Sequence, residues 1–206
     1  MSVLLQPVRL EPPQVKRVAR ALARAFHDDP GIVWIVPNEG QRRRLLYWNH
    51  KKFLQYGLRA GHVFTTPDLV QGIATWLPPE RPMMGFMDAV RLGLLALPFK
   101  GTPLQLVRFV AMTRLFDRMH RLDAPKRHWY LNVLGVDPER QGQGFGGRLI
   151  APTLEQADRD RLPCYVETGK EINVTFYQKH GFEVLREGNL PLGGPRWWTM
   201  LREPIG

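Results

Sequence analysis

Residues 141 to 147 read Gln141-Gly142-Gln143-Gly144-Phe145-Gly146-Gly147, directly ahead of a segment with helical periodicity. Glycines let a backbone approach an anion closely and turn its N–H groups inward, and the positive end of the following helix attracts a phosphate. A glycine cluster at a helix start can also be only a tight turn. Gly142-x-Gly144-x-x-Gly147 further matches the dinucleotide fingerprint, and Glu167 lies 20 residues beyond Gly147, where an acid for a ribose would sit. Three features count against a nicotinamide dinucleotide. The spacer Asp137-Pro138-Glu139-Arg140-Gln141 separates the loop from the preceding strand. The motif lies two-thirds along the chain rather than in a first βαβ unit. The residues beyond the loop's own helix read as strand-helix-strand-strand, too little for a doubly wound sheet. The phosphate loop ending in Gly-Lys-Ser/Thr is absent, since Arg148 and Leu149 come after Gly147.

The chain of 206 residues, with 44% hydrophobic and 23% charged residues, suits one well-cored domain spanning 1–206. Its one cysteine, Cys164, cannot form an intramolecular disulfide and sits in an apolar run, which reads as a buried, inert thiol in a reducing compartment. No signal peptide is visible at the N-terminus, and the most apolar stretch, 85–99, is too short and too charged to span a membrane. The expectation is a cytoplasmic protein with no membrane association. The net charge of +10 comes from basic residues spread along the chain, apart from Arg42-Arg43-Arg44. With no zinc-ligand spacing, basic zipper or aromatic RNA-binding signature beside them, the excess suits a polyanionic small ligand better than nucleic acid. No metal site is expected.

The elements that must carry the loop emerge from periodicity. Residues 8–10 read as a short strand. Val15, Val18, Leu22 and Phe26 mark a helix stopped by Asp28-Asp29-Pro30-Gly31, and a second helix covers 39–59. Two strands, 62–66 and 69–77, form a hairpin. Residues 83–121 read as an inserted helical pair, with Leu104, Val107, Ala111, Leu115 and Met119 on one face of its second helix; its role is left open between core cover and substrate pocket. Residues 129–136 read as a central strand covered on both sides. The helix after the loop carries Phe145, Leu149, Leu154 and Ala157 as its buried stripe, with a kink or a lost hydrogen bond at Pro152. A strand at 163–167, a short helix at 173–180 and strands at 182–185 and 197–201 complete a mixed α/β chain.

Residues 134–146, Leu134-Gly135-Val136-Asp137-Pro138-Glu139-Arg140-Gln141-Gly142-Gln143-Gly144-Phe145-Gly146, resemble motif A of the GCN5-related N-acetyltransferase (GNAT) superfamily. Asn173-Val174-Thr175-Phe176-Tyr177-Gln178-Lys179-His180-Gly181-Phe182 is similar to its motif B. The two in this order and spacing are far more specific than either half. Val136-Asp137-Pro138, Glu167-Thr168 and Gly194-Pro195-Arg196-x-Trp198-x-Met200 resemble the branch containing puromycin N-acetyltransferase. The resemblance covers about residues 128–202; the N-terminal half agrees in layout only. It implies a GNAT-like fold: a central, mostly antiparallel sheet with one parallel, splayed strand pair and helices on both faces.

The resemblance also implies roles. Leu134, Gly135 and Val136 would line the cleft for acetyl-CoA, where a strand bulge splays this strand from the Pro163 strand and leaves backbone groups unpaired for pantetheine, with the Leu134 N–H polarising the thioester carbonyl. Gln141, Gly142, Gln143, Gly144, Phe145 and Gly146 would hold the pyrophosphate, with Gly147 and Arg148 adding contacts, and Asn173 would bond the pantetheine arm. Tyr177 would protonate the departing thiolate; the competing reading is a tyrosine packed beside Phe176. Many superfamily members place a glutamate where this chain has Tyr130, so Glu167 becomes the candidate proton acceptor, against a reading as an ion pair or ammonium anchor. His128 and His180 read as surface or capping residues. The implied activity is direct acetyl transfer from acetyl-CoA to a primary amine of a small molecule. Trp197-Trp198 and the inserted segment hint at a hydrophobic, antibiotic-like acceptor. A non-catalytic acetyl-CoA sensor and an NAD(P)-dependent oxidoreductase are the alternatives, and the chain would act as a monomer or homodimer.

Overall fold

In the computed structural model, residues 6–60, 62–67, 71–80 and 101–205 are described. The first helix of the expected 83–121 pair and residues 69–70 of the expected hairpin lie outside them. Strands β1 (Val8–Arg9), β2 (His62–Thr65), β3 (Gly72–Leu77), β4 (Trp129–Val136), β5 (Cys164–Thr168), β6 (Glu183–Asn189) and β7 (Arg196–Arg202) form one sheet in the order β1-β2-β3-β4-β5-β7-β6. All neighbours are antiparallel except β4 and β5. That parallel pair needs a crossover, which helix α5 (Phe145–Asp160) supplies. The mixed, mostly antiparallel class expected from the sequence is what is seen.

Helices α1 (Val15–Ala25) and α3 (Glu39–Ala60) pack on one face of the sheet, where Val18, Leu22 and Leu54 meet Val63, Ile73 and Val133. On the other face, Leu149, Ile150 and Ala157 of α5 and Val174 and Tyr177 of α6 (Glu171–Gln178) meet Leu131, Cys164, Val166 and Met200. The α5 helix runs on through Pro152, whose missing N–H costs it one internal hydrogen bond. Its stripe is as expected at Leu149, Leu154 and Ala157, while Phe145 is half-buried at the helix mouth.

Two local expectations need correction. Asp28-Asp29-Pro30-Gly31 does end α1, but it also opens a short helix, α2 (Pro30–Ile35). Asp29 caps it, accepting from the N–H groups of Gly31 (3.1 Å) and Ile32 (3.2 Å), and Pro30 takes the first turn, where its lack of an N–H is harmless. Helix α4 (Pro103–Asp123) starts in a capping box between Thr102 and Gln105, yet Leu104 and Val107 are exposed among the described residues. What anchors α4 is its later half: Met112, Leu115, Phe116 and Met119 pack with Trp34, Leu190 and Trp197.

One irregularity shapes the centre. Thr75 pairs with Val133 and Trp76 with Leu131, so Asn132 is an extra residue in β4, a β-bulge. It reverses the alternation: Trp129 and Leu131 point to the α5 side, Val133 to the α1 side, and Leu134 and Val136 back toward α5. The β4–β5 ladder ends at Leu131 opposite Val166, although β4 continues to Val136 and β5 to Thr168. The two strands therefore form an open fork.

Candidate active site

A cleft of about 640 Å³ occupies this fork. Leu134, Gly135 and Val136 line one side, and Gln141, Gly142, Gly144, Phe145, Gly146 and Gly147 line its mouth. Asn173 and Tyr177 of α6 line the other side. The glycines serve two different ends. Gly142 (φ +74°) and Gly144 (φ +77°) are left-handed, a conformation that strains any residue with a Cβ, and Gly144 caps α5. Gly146 and Gly147 are instead small for packing. A Cβ on the first would lie 3.2 Å from the Phe176 ring, and on the second 2.7 Å from His180 Nε2. Close α5–α6 packing thus brings the mouth and Tyr177 to a common cleft.

Side chains fix the loop from behind. The Gln141 amide donates to the Val136 carbonyl (3.1 Å), and Arg148 donates to the Gln143 carbonyl (2.8 Å) while lying over the Phe145 ring. Gln143 itself bonds the Glu139 carbonyl (3.3 Å) and is not among the cleft residues. Asp137 is buried and paired with Arg24 of α1, tying the turn before the loop to the opposite layer. Inside the fork, the Asn173 amide donates to Thr168 Oγ1 at the tip of β5 (3.0 Å). The Tyr177 ring is wedged between Phe176 and Phe182, and burial pushes its hydroxyl pKa up. His180 caps α6 through the Phe176 carbonyl (2.8 Å), as a capping residue should.

Glu167 does not share this cleft. Alternation along β5 sends Cys164, Val166 and Thr168 toward α5 and α6, and sends Tyr165 and Glu167 to the opposite face, under α4. There the Tyr130 hydroxyl donates to Glu167 Oε2 (2.7 Å), and His120 Nδ1 of α4 lies 3.8 Å from Oε1. Burial raises the Glu167 pKa to about 7, against the hydroxyls of Tyr130 and Tyr165 that pull it down; Asp117 and Asp123 add to the rise. Tyr130, itself unable to act as a base, thus delivers a hydrogen bond to the carboxylate that stands at the end of its own side chain. His128, expected at the surface, is buried and hydrogen-bonded to His120 (2.8 Å), because it immediately precedes the covered strand β4. Trp197 and Trp198 are both buried: one packs under α4, the other in the α5-side core, so neither is a free wall for a ligand.

Sequence reasoning missed Phe26, Asp29 and Lys170, which also line the cleft. Asp29 carried the signal of a helix cap before Pro30, which explains its place and not its nearness to the loop. His120 carried no signal at all. Among the described residues, no group of three His, Cys, Asp or Glu could hold a metal ion, and no helix is long and apolar enough to cross a membrane.

Comparison with known proteins agrees with this geometry. Residues 105–184 match the family described as acetyltransferase (GNAT) domain. An uncharacterized N-acetyltransferase of Schizosaccharomyces pombe is 29% identical over 180 residues, covering 84% of this chain and 72% of that relative. The fold is similar to that of a histone acetyltransferase HPA2-related acetyltransferase from Corynebacterium glutamicum (TM-score 0.67, 18% identity, 98% of each chain). It is also similar to arylalkylamine N-acetyltransferase 2 from Aedes aegypti (TM-score 0.61, 15% identity, 97% of this chain and 99% of that one). The matched segment and the relative support one conclusion: the chain is an acyl-CoA-dependent N-acetyltransferase, and its residues 105–184 are similar to the acetyltransferase (GNAT) domain.

Proposed function

We propose that the chain moves an acetyl group from acetyl-CoA directly to the primary amine of a small molecule. The observation that carries this reading is the continuity of the cleft: a glycine mouth at a helix N-terminus opens into a fork that ends among Leu134, Asn173 and Tyr177. The backbone N–H groups of residues 141–147 bind the pyrophosphate. Asn173 bonds the pantetheine arm, and the Leu134 N–H steadies the developing oxyanion, a contribution of about 3 kcal/mol for one preorganised donor. Tyr177, un-ionised at any working pH because of its burial, gives its proton to the thiolate as the tetrahedral intermediate collapses.

The amine approaches from the α4 side. There Glu167, ionised above about pH 7, takes the proton that the ammonium must lose before its nitrogen can attack. Cys164 is buried among core residues with its thiol pushed up to about 12, which supports direct transfer without an acetyl-enzyme. The aromatic side chains about Glu167, Tyr130 and Tyr165, favour an acceptor with an apolar body, in keeping with the likeness to the puromycin N-acetyltransferase branch. The expected setting is a reducing, cytoplasmic one, with the enzyme acting as monomer or homodimer and needing no metal.

Titration with acetyl-CoA and NAD(P) in parallel, followed by thermal melting, tests the donor: only acetyl-CoA should raise the melting temperature. An amine panel read by CoA release tests the reaction. Binding without release across the panel marks a sensor, and stabilisation by NAD(P) alone overturns the reading altogether. The Cys164→Ala variant should keep its activity; its loss with donor binding intact would argue for a covalent intermediate.

A further inference from the structure

Behind Glu167, two histidines form a chain whose hydrogen bonds have a fixed direction. His128 Nδ1 lies 2.6 Å from the Pro125 carbonyl oxygen, which only accepts, so Nδ1 carries a hydrogen. Both rings are buried, and burial lowers both pKa values, that of His120 to about 4, so both are neutral near pH 7. A neutral His128 protonated at Nδ1 has its lone pair on Nε2. That nitrogen is 2.8 Å from His120 Nε2, so His120 must donate from Nε2 and keep its own lone pair on Nδ1. His120 Nδ1 faces Glu167 Oε1 at 3.8 Å, and Oε1 has no hydrogen-bond partner among the described residues.

We propose that Pro125, His128 and His120 form a tautomer lock that presents a proton-accepting nitrogen to Glu167, so that the carboxyl can hold the proton it removes from the amine. The inference rests on Glu167 being the acceptor of that proton. In the step, one N–H bond of the ammonium breaks and one O–H bond forms on Oε1. The new hydroxyl points at His120 Nδ1, 3.8 Å away before the proton arrives, and donates to it as the two side chains close to hydrogen-bond distance, while Tyr130 continues to donate to Oε2. The other groups about Glu167 are Tyr165 of its own strand and Asp117 and Asp123 of α4. Asp123 is already engaged by Arg186 of β6 and Thr199 of β7, and Arg121 lies near His120. His120 and His128 are positioning residues that act through Glu167; neither touches the amine or the acetyl donor.

The test compares His128→Phe with His128→Gln through the pH profile of kcat/KM for the amine. Without an acceptor for its Nε2–H, His120 reverses and donates Nδ1–H to the Glu167 carboxylate. The ionised form is then favoured, and the acid limb should move down by about one pH unit. The glutamine amide oxygen can still accept from His120 Nε2, so His128→Gln should leave the limb in place. A limb unmoved in His128→Phe but absent in Glu167→Gln overturns the lock. A limb that survives Glu167→Gln overturns the reading of Glu167 itself. Nitrogen-15 NMR of the unsubstituted enzyme is independent of activity and of variant folding: His120 protonated on Nε2 supports the lock, and His120 protonated on Nδ1 removes it.

Discussion

Replacing Glu167 by Gln should make the enzyme more stable and less active, and the stability gain should depend on pH. In the folded state this carboxyl has a pKa of about 7 against the usual 4.5, because burial outweighs the hydrogen bond from Tyr130. A folded pKa raised above the unfolded one means that the native state binds more protons between these two values. Ionised Glu167 therefore costs stability, increasingly so as pH rises from 4.5 through 7. The rise from 4.5 to about 7 corresponds to about 3 kcal/mol once the group is fully ionised. At pH 5 the cost is about 1 kcal/mol, and at pH 8 it is about 3 kcal/mol. Glutamine keeps an oxygen to accept from Tyr130 and carries no charge, so the variant should gain about 2 kcal/mol more at pH 8 than at pH 5. Urea denaturation of both proteins at the two pH values measures the difference. Neighbouring histidines are common to both proteins and cancel, apart from their coupling to this site. A stability gap that stays the same at pH 5 and pH 8 would refute the argument that Glu167 is ionised against its burial. Acetyl transfer at pH 8 should fall at least about 100-fold in the variant, the lower end of what a positioned base contributes.

Other perturbations act elsewhere in the site and fold. Tyr177→Phe should lower kcat by about 100-fold or more with acetyl-CoA affinity unchanged, checked by steady-state kinetics and calorimetry; an unchanged kcat removes its role as acid. Gly147→Ala places a Cβ 2.7 Å from His180 Nε2, whose ring is held by the Phe176 carbonyl, so it should cost about 1–3 kcal/mol of stability and weaken acetyl-CoA binding. Gly142→Ala meets nothing within 4 Å and should cost only the left-handed backbone penalty, about 1 kcal/mol; equal losses in the two variants would contradict this division of labour. Asp158→Ala strips the two-pronged partner (2.7 and 2.8 Å) from the buried Arg202. It should destabilise by about 3 kcal/mol in thermal melts, and retention of the full melting temperature would show the pair to be dispensable.

Features that are local in the chain were legible in the amino-acid sequence alone. The glycine mouth, the helix behind it, the α6 segment with Asn173 and Tyr177, and the parallel crossover between them all come from short-range spacing and turn chemistry. Their resemblance to a known pair of motifs supplied the donor. Which face each side chain occupies, and what meets it there, was settled by the packing of distant segments. The bulge at Asn132 reverses the alternation of β4 midway and turns Leu134 toward the fork; the resemblance implied a bulge in this strand, but a one-residue slip leaves no mark in the residue pattern of a strand apolar on both sides, so its position came from the structure. Glu167 read as a candidate proton acceptor with no face assigned to it, and period-two alternation places it on the face opposite the cleft, beneath a helix ending more than forty residues earlier. The end of α4 brings His120, the start of β4 brings His128 and Tyr130, and β5 brings Glu167, and no spacing rule links the three. Long-range packing brought them together, because burial in a common core, unlike a turn or a helix cap, is a property of the folded whole.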